Sequence, residues 1–181
     1  MSYLLTHGSR NIKLNPFHDE QGWQQLNFYS GMLKKLIGSK ISLIITGSGK
    51  RFREMHREIA LYGGAFLGVP IISTDLLGTI TSTIDSDNPG ETTILIEDDY
   101  VLSIDNFIPL WELVYPDEMW RIIKRLEKWE PAGDKLFFTG RPVMRALGYN
   151  VSRTACLYEL NSKKKEIEPI MDLSDYGLDT T

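Results

Sequence analysis

Ile41-Ser42-Leu43-Ile44-Ile45-Thr46-Gly47-Ser48-Gly49-Lys50-Arg51-Phe52 is a junction between two kinds of structure. Its first half is apolar and rich in β-branched residues, the pattern of a strand buried on both faces. Thr46-Gly47-Ser48-Gly49 stops that run, because glycine lets the chain turn sharply. Beyond the turn Phe52, Met55, Ile59 and Tyr62 recur at helical spacings, with Lys50, Arg51, Arg53 and Arg57 near the start and Gly63-Gly64 at the end. A doubly buried strand followed by an amphipathic helix is the repeating unit of a parallel sheet covered by helices.

The unit recurs on either side. Residues 2–5 read as a short buried strand ending at Thr6-His7-Gly8. A helix then starts near Asp19, carries the stripe Trp23, Leu26, Tyr29, Leu33 and Leu36, and closes at Gly38. Residues 69–73 form a third apolar run, so the order is β-α-β-α-β with right-handed crossovers expected. The pattern then changes. Residues 79–84, 92–97 and 100–104 are β-prone and separated by Asp85-Ser86-Asp87-Asn88-Pro89-Gly90 and Asp98-Asp99, which reads as an acidic β-meander inserted at about 75–115. Pro116-Asp117-Glu118 opens a strong helix with Met119, Ile122, Ile123, Leu126 and Trp129 on its buried face and Arg121, Lys124, Arg125 and Lys128 on its wet one. A last unit follows: strand 135–138, turn Thr139-Gly140-Arg141 and helix 142–147, then a closing hairpin over 153–160 and 165–170. The expected class is α/β, a three-layer α/β/α sandwich with a mainly parallel central sheet, in one domain spanning 1–181.

Composition narrows the function classes. A chain of 181 residues, 42% hydrophobic and 24% charged, can bury a sizeable core without disulfide or metal staples. The lone Cys156 has no partner in the chain, and no cysteine-rich zinc pattern exists, so the expected compartment is the reducing cytoplasm. Tyr3-Leu4-Leu5 is too short an apolar stretch for a signal peptide or membrane span, and no membrane association is expected. The net charge of −4 is unevenly laid out. All 20 Lys and Arg lie outside residues 58–120, where twelve acids fall, so the middle carries −12 and the remainder +8. The basic residues after 120 lie on one helix face and in Lys163-Lys164-Lys165 without interleaved aromatics, which argues against a nucleic-acid partner.

Ligands of open parallel sheets gather at the carboxyl ends of strands. Here those ends are Thr6-His7-Gly8, Thr46-Gly47-Ser48-Gly49-Lys50-Arg51 and Thr139-Gly140-Arg141. Glycines beside helix starts leave backbone N–H groups free for an anion, and two arginines with a histidine suit phosphate. The second of these ends is not a Walker-type loop: Ile44 stands where the first glycine is needed, and Arg51 where a Ser or Thr binds magnesium. Asp85-Ser86-Asp87-Asn88-Pro89-Gly90 lacks the flanking helices of a calcium loop and has proline at a ligand position. No metal and no cofactor is called for.

The order of these pieces resembles the histidine phosphatase, or phosphoglycerate-mutase-like, superfamily. Thr6-His7-Gly8 is similar to its opening Arg-His-Gly, residues 19–26 to the segment that starts its first helix, and Gly47-Ser48-Gly49-Lys50-Arg51-Phe52 to its Ser-Pro-x-x-Arg-Ala. Residues 136–147 have the shape of its late strand, His-Gly motif and helix. The resemblance implies phosphomonoester or phosphohistidine hydrolysis with His7 as nucleophile and Gly8, Arg10, Arg51, Gly140 and Arg141 around the phosphate. It also marks a degenerate pocket: Thr6 replaces the family's first arginine and Gly140 its second histidine. Arg10, His56 and Arg141 are the candidates to replace the missing cations. An active protein would take a phosphate ester or phosphoprotein. An inactive pseudophosphatase would bind a basic protein through the acidic middle.

Overall fold

The computed structural model describes residues 1–6, 20, 30–47, 66, 68–77, 95–97, 100–102, 107–109, 116–139, 141–149 and 156–172; for 75, 95–97, 100–102, 107–109 and 141–142 it describes the backbone only. The described strands are β1 (Ser2–Thr6), β2 (Ile41–Gly47), β3 (Ile71–Thr74), β4 (Leu95–Glu97), β5 (Tyr100–Leu102), β6 (Phe107–Pro109), β7 (Asp134–Thr139), β8 (Cys156–Asn161) and β9 (Glu166–Asp172). The described helices are α1 (Pro116–Leu126) and α2 (Arg141–Ala146), with a π-helical turn at Lys34–Gly38 and a 3-10 turn at Asp75–Leu77. No described helix is long and apolar enough to cross a membrane.

Six strands form one sheet in the order β3-β2-β7-β1-β8-β9. The ladders β3–β2, β2–β7 and β7–β1 are parallel, and β1–β8 and β8–β9 are antiparallel. The sheet is therefore mainly parallel with an antiparallel hairpin closing one side. One consequence governs the rest: the carboxyl ends of β1, β2, β3 and β7 share an edge, so Thr6, Gly47, Thr74 and Thr139 lie along it.

Helices cover both faces, which is why the strands read as unbroken apolar runs. On one face Tyr3, Leu5, Ile44, Leu136, Phe138 and Leu157 pack with Leu33, Ile37 and Phe66. On the other Leu4, Leu43, Ile45, Phe137 and Tyr158 pack beneath α1 and α2. In α1 the residues Met119, Trp120, Ile123 and Leu126 are buried, while Asp117 and Glu118 sit at the positive end of its dipole and Lys124 and Arg125 at the negative end. Trp120 extends the expected buried face, and Trp129 is only partly buried.

The end of the first helix departs from its expected stripe. Leu33 is buried as expected, but Leu36 is 36% exposed and Ile37 takes the inward place at 2%. The cause is the π-helical turn: bonds from i to i+5 spread each turn over more residues, so Ile37 rather than Leu36 comes to lie over Leu33. Trp23, Leu26 and Tyr29 lie outside the described residues, as does the expected helix over 52–62.

In the acidic middle β4, β5 and β6 form a separate antiparallel sheet, Leu95 opposite Leu102 and Tyr100 opposite Pro109. Two of its strands were expected; residues 79–84 lie outside the described ones. The third, β6, has three residues and ends in proline, which reads as a break, yet proline is tolerated on an edge strand because its missing N–H faces away from the ladder.

The connection from α1 into β7 is fixed by polar contacts at the amino edge of the sheet. Lys135 is 1% exposed and its Nζ donates to Pro131 O at 2.6 Å, Gly133 O at 2.9 Å and Ser42 Oγ at 3.1 Å. Burial lowers its pKa, and the nearby carboxylates of Glu130 and Asp134 oppose that shift. The Glu127 carboxylate accepts hydrogen bonds from Ser2 Oγ and, at 2.7 Å, from Ser162 Oγ, tying α1 to β1 and to the turn after β8.

Candidate functional site at the carboxyl edge

β1 and β7 run in register from Ser2 opposite Lys135 to Thr6 opposite Thr139. The two residues that precede His7 and Gly140 in the chain are thus direct neighbours across a parallel ladder, with strands about 4.8 Å apart. On the other side of β7, Thr46 of β2 pairs with Phe138, one residue before Gly47 opens the turn toward Arg51. The topology brings Thr6, Gly47 and Thr139, which end three separated strands, to one stretch of sheet edge.

Hydroxyl side chains line this edge, and what each bonds differs. Thr6 and Thr139 lie on the face shared with Leu4 and Phe137, two residues before each, because side chains alternate along a strand. Thr6 is 3% exposed; its Oγ1 accepts from Cys156 N at 3.0 Å and donates to Cys156 O at 3.3 Å. This short side chain is engaged with the backbone of β8. Thr46 Oγ1 lies 3.1 Å from Ser73 Oγ and donates to Gly47 O at 3.2 Å, linking β2 to β3. Thr139 is 0% exposed, and among the described residues its Oγ1 is the buried side-chain oxygen with no hydrogen-bond partner. An unmet buried hydroxyl costs about 1–3 kcal/mol.

His7, Gly8, Arg10, Arg51, His56 and Gly140 lie outside the described residues; Arg141 is described as the first residue of α2, without its side chain. Among the described residues no three His, Cys, Asp or Glu side chains group as metal ligands. The reading from residue types passed over Thr139, since a threonine ending a strand is commonplace and nothing in its neighbours marks an unpaired hydroxyl.

The whole chain resembles Bacillus stearothermophilus YhfR, with a TM-score of 0.57 over 94% of this chain and 95% of that one at 11% identity. It is similar as well to a mycobacterial glucosyl-3-phosphoglycerate phosphatase in complex with VO3, with a TM-score of 0.51 over 94% and 96% of the two chains at 15% identity. The fold is the one these two structures share. At such identities the likeness concerns architecture alone, a mainly parallel sheet between helical layers. No protein-family model and no curated protein matches this chain in sequence.

Proposed function

We propose that the chain hydrolyses phosphomonoesters or phosphohistidine through His7, slowly, from a pocket at the carboxyl ends of β1, β2 and β7. The observation that carries this reading is the register of β1 with β7, which sets Thr6 beside Thr139 and so sends the chain into His7 and Gly140 from adjacent strand ends. In the proposed reaction an imidazole nitrogen of His7 attacks phosphorus, the bond from phosphorus to the ester oxygen, or to the substrate's imidazole nitrogen in phosphohistidine, breaks, and the leaving atom takes up a proton from solvent water. Water then attacks the phosphohistidine, releasing inorganic phosphate and restoring the imidazole. Gly8 offers a backbone N–H, and Arg51, Arg10 and Arg141 are the cations available to the equatorial oxygens.

The expected rate is low for a physical reason. Removing one preorganised donor from an oxyanion site costs about a hundred- to a thousand-fold in kcat, and here Thr6 and Gly140 replace two charged groups. The engagement of Thr6 with Cys156 also favours a second reading, a pseudophosphatase without turnover whose acidic middle takes a basic protein. One experiment separates the two: a screen of small phosphate esters and phosphopeptides with wild type and His7→Ala. We expect slow turnover, below the common enzymatic value of about 10 per second, that vanishes in His7→Ala. Turnover that survives the substitution overturns the His7 mechanism, and a wild type with none on any substrate leaves the pseudophosphatase.

A further inference from the structure

Thr139 ends β7 with its hydroxyl enclosed and unpaired, immediately before Gly140. Enclosed hydroxyls nearly always have partners, so an unmet one at a strand end calls for an explanation, and a group that arrives with a ligand supplies one. Its neighbour across the ladder shows the alternative: Thr6 uses its own hydroxyl within the sheet, on Cys156. Thr139 is also adjacent in sequence to Gly140, which contributes no side-chain donor.

We propose that Thr139 is a substrate-binding residue whose Oγ1 donates a hydrogen bond to a phosphoryl oxygen of the bound ester, in place of a donor that Gly140 lacks. This inference rests on the phosphate-pocket reading above. A neutral hydroxyl binds an oxyanion more weakly than a cation does and imposes less charge selection. The site would therefore accept monoanionic phosphate esters better, relative to dianionic ones, than an all-cation pocket would.

The test uses the full chain with Thr139→Val, which keeps the shape and removes the hydroxyl, and Thr139→Ser, which keeps the hydroxyl. Melting temperature without ligand and affinity for orthovanadate are measured for each. Because the hydroxyl is unmet without ligand, Thr139→Val should melt no lower than wild type. It should bind vanadate about tenfold more weakly, the loss of one ordinary hydrogen bond, while Thr139→Ser stays within about twofold of wild type. Vanadate affinity unchanged in Thr139→Val overturns the inference and leaves the pocket standing. A lower melting temperature in Thr139→Val with Thr139→Ser intact also overturns it, since the hydroxyl would then have a resident partner. If wild type binds no vanadate, the pocket reading itself falls and this inference with it.

Discussion

Thr6 and Thr139 stand side by side at the carboxyl edge, and their hydroxyls do opposite things. Thr6 carries the β1–β8 ladder one step further with a side chain. That predicts a structural role that activity alone would not reveal. Thr6→Val should lower stability by about 1–2 kcal/mol, read as a lower urea midpoint with an unchanged slope, because Cys156 N–H loses an acceptor. An unchanged midpoint would show that the bond contributes nothing. The resemblance had singled out Thr6 as standing where an arginine was expected, and its engagement with β8 was invisible because it depends on β1 lying between β7 and β8. His7 and Arg51, expected from the same resemblance, lie outside the described residues; the unpaired hydroxyl of Thr139 was not legible, because pairing is a property of three-dimensional neighbours.

Among the elements, the strands were the most legible part of the fold. Ile41–Gly47, Asp134–Thr139 and the β8–β9 hairpin follow from apolar runs bounded by turn residues. What failed to show was local geometry that breaks a simple period: the π-helical turn that exchanges Leu36 for Ile37, and the proline-ended β6. The link from α1 to β7 was missed for another reason. A lysine at a strand start reads as exposed, yet Lys135 is buried on three oxygen acceptors. Its folded-state pKa lies below the ordinary 10.5, so the folded chain releases this proton before the unfolded chain does. Below the folded value both states hold the proton and burial of the charge weighs fully against folding; between the folded value and 10.5 that penalty is relieved as pH rises. Tyr3 acts in the opposite sense near pH 10, since burial and the carboxylates of Asp134 and Glu159 raise its pKa. Comparison with Lys135→Met separates the two, as Tyr3 is common to both. The unfolding free energy of wild type minus that of Lys135→Met should increase from pH 7 toward 10.5; a flat or falling difference would contradict the buried clamp.

At the scale of the whole molecule the charge division meets the topology. β3 ends at the same edge as β1, β2 and β7, and it lies with Asp75–Leu77 inside residues 58–120, the stretch that carries −12 against +8 elsewhere. Negative potential lowers the encounter rate of anionic esters, an effect screened over about 8 Å at physiological ionic strength. The acidic stretch therefore fits the slow hydrolysis proposed above better than a fast one. The fold class was legible at this scale because alternating strands and helices admit few topologies; the order of the strands required the structure, since β1 and β2 do not touch but flank β7. The central claim of the proposal is that the chain transfers phosphoryl groups through His7. The direct measurement is rapid quenching of the protein with p-nitrophenyl phosphate under alkaline conditions, followed by peptide mapping by mass spectrometry. A phosphoryl group on His7 that appears before phosphate release and is labile to acid is the predicted result. Hydrolysis with His7 unmodified, a phosphoryl group on another residue, or no transfer at all would contradict it.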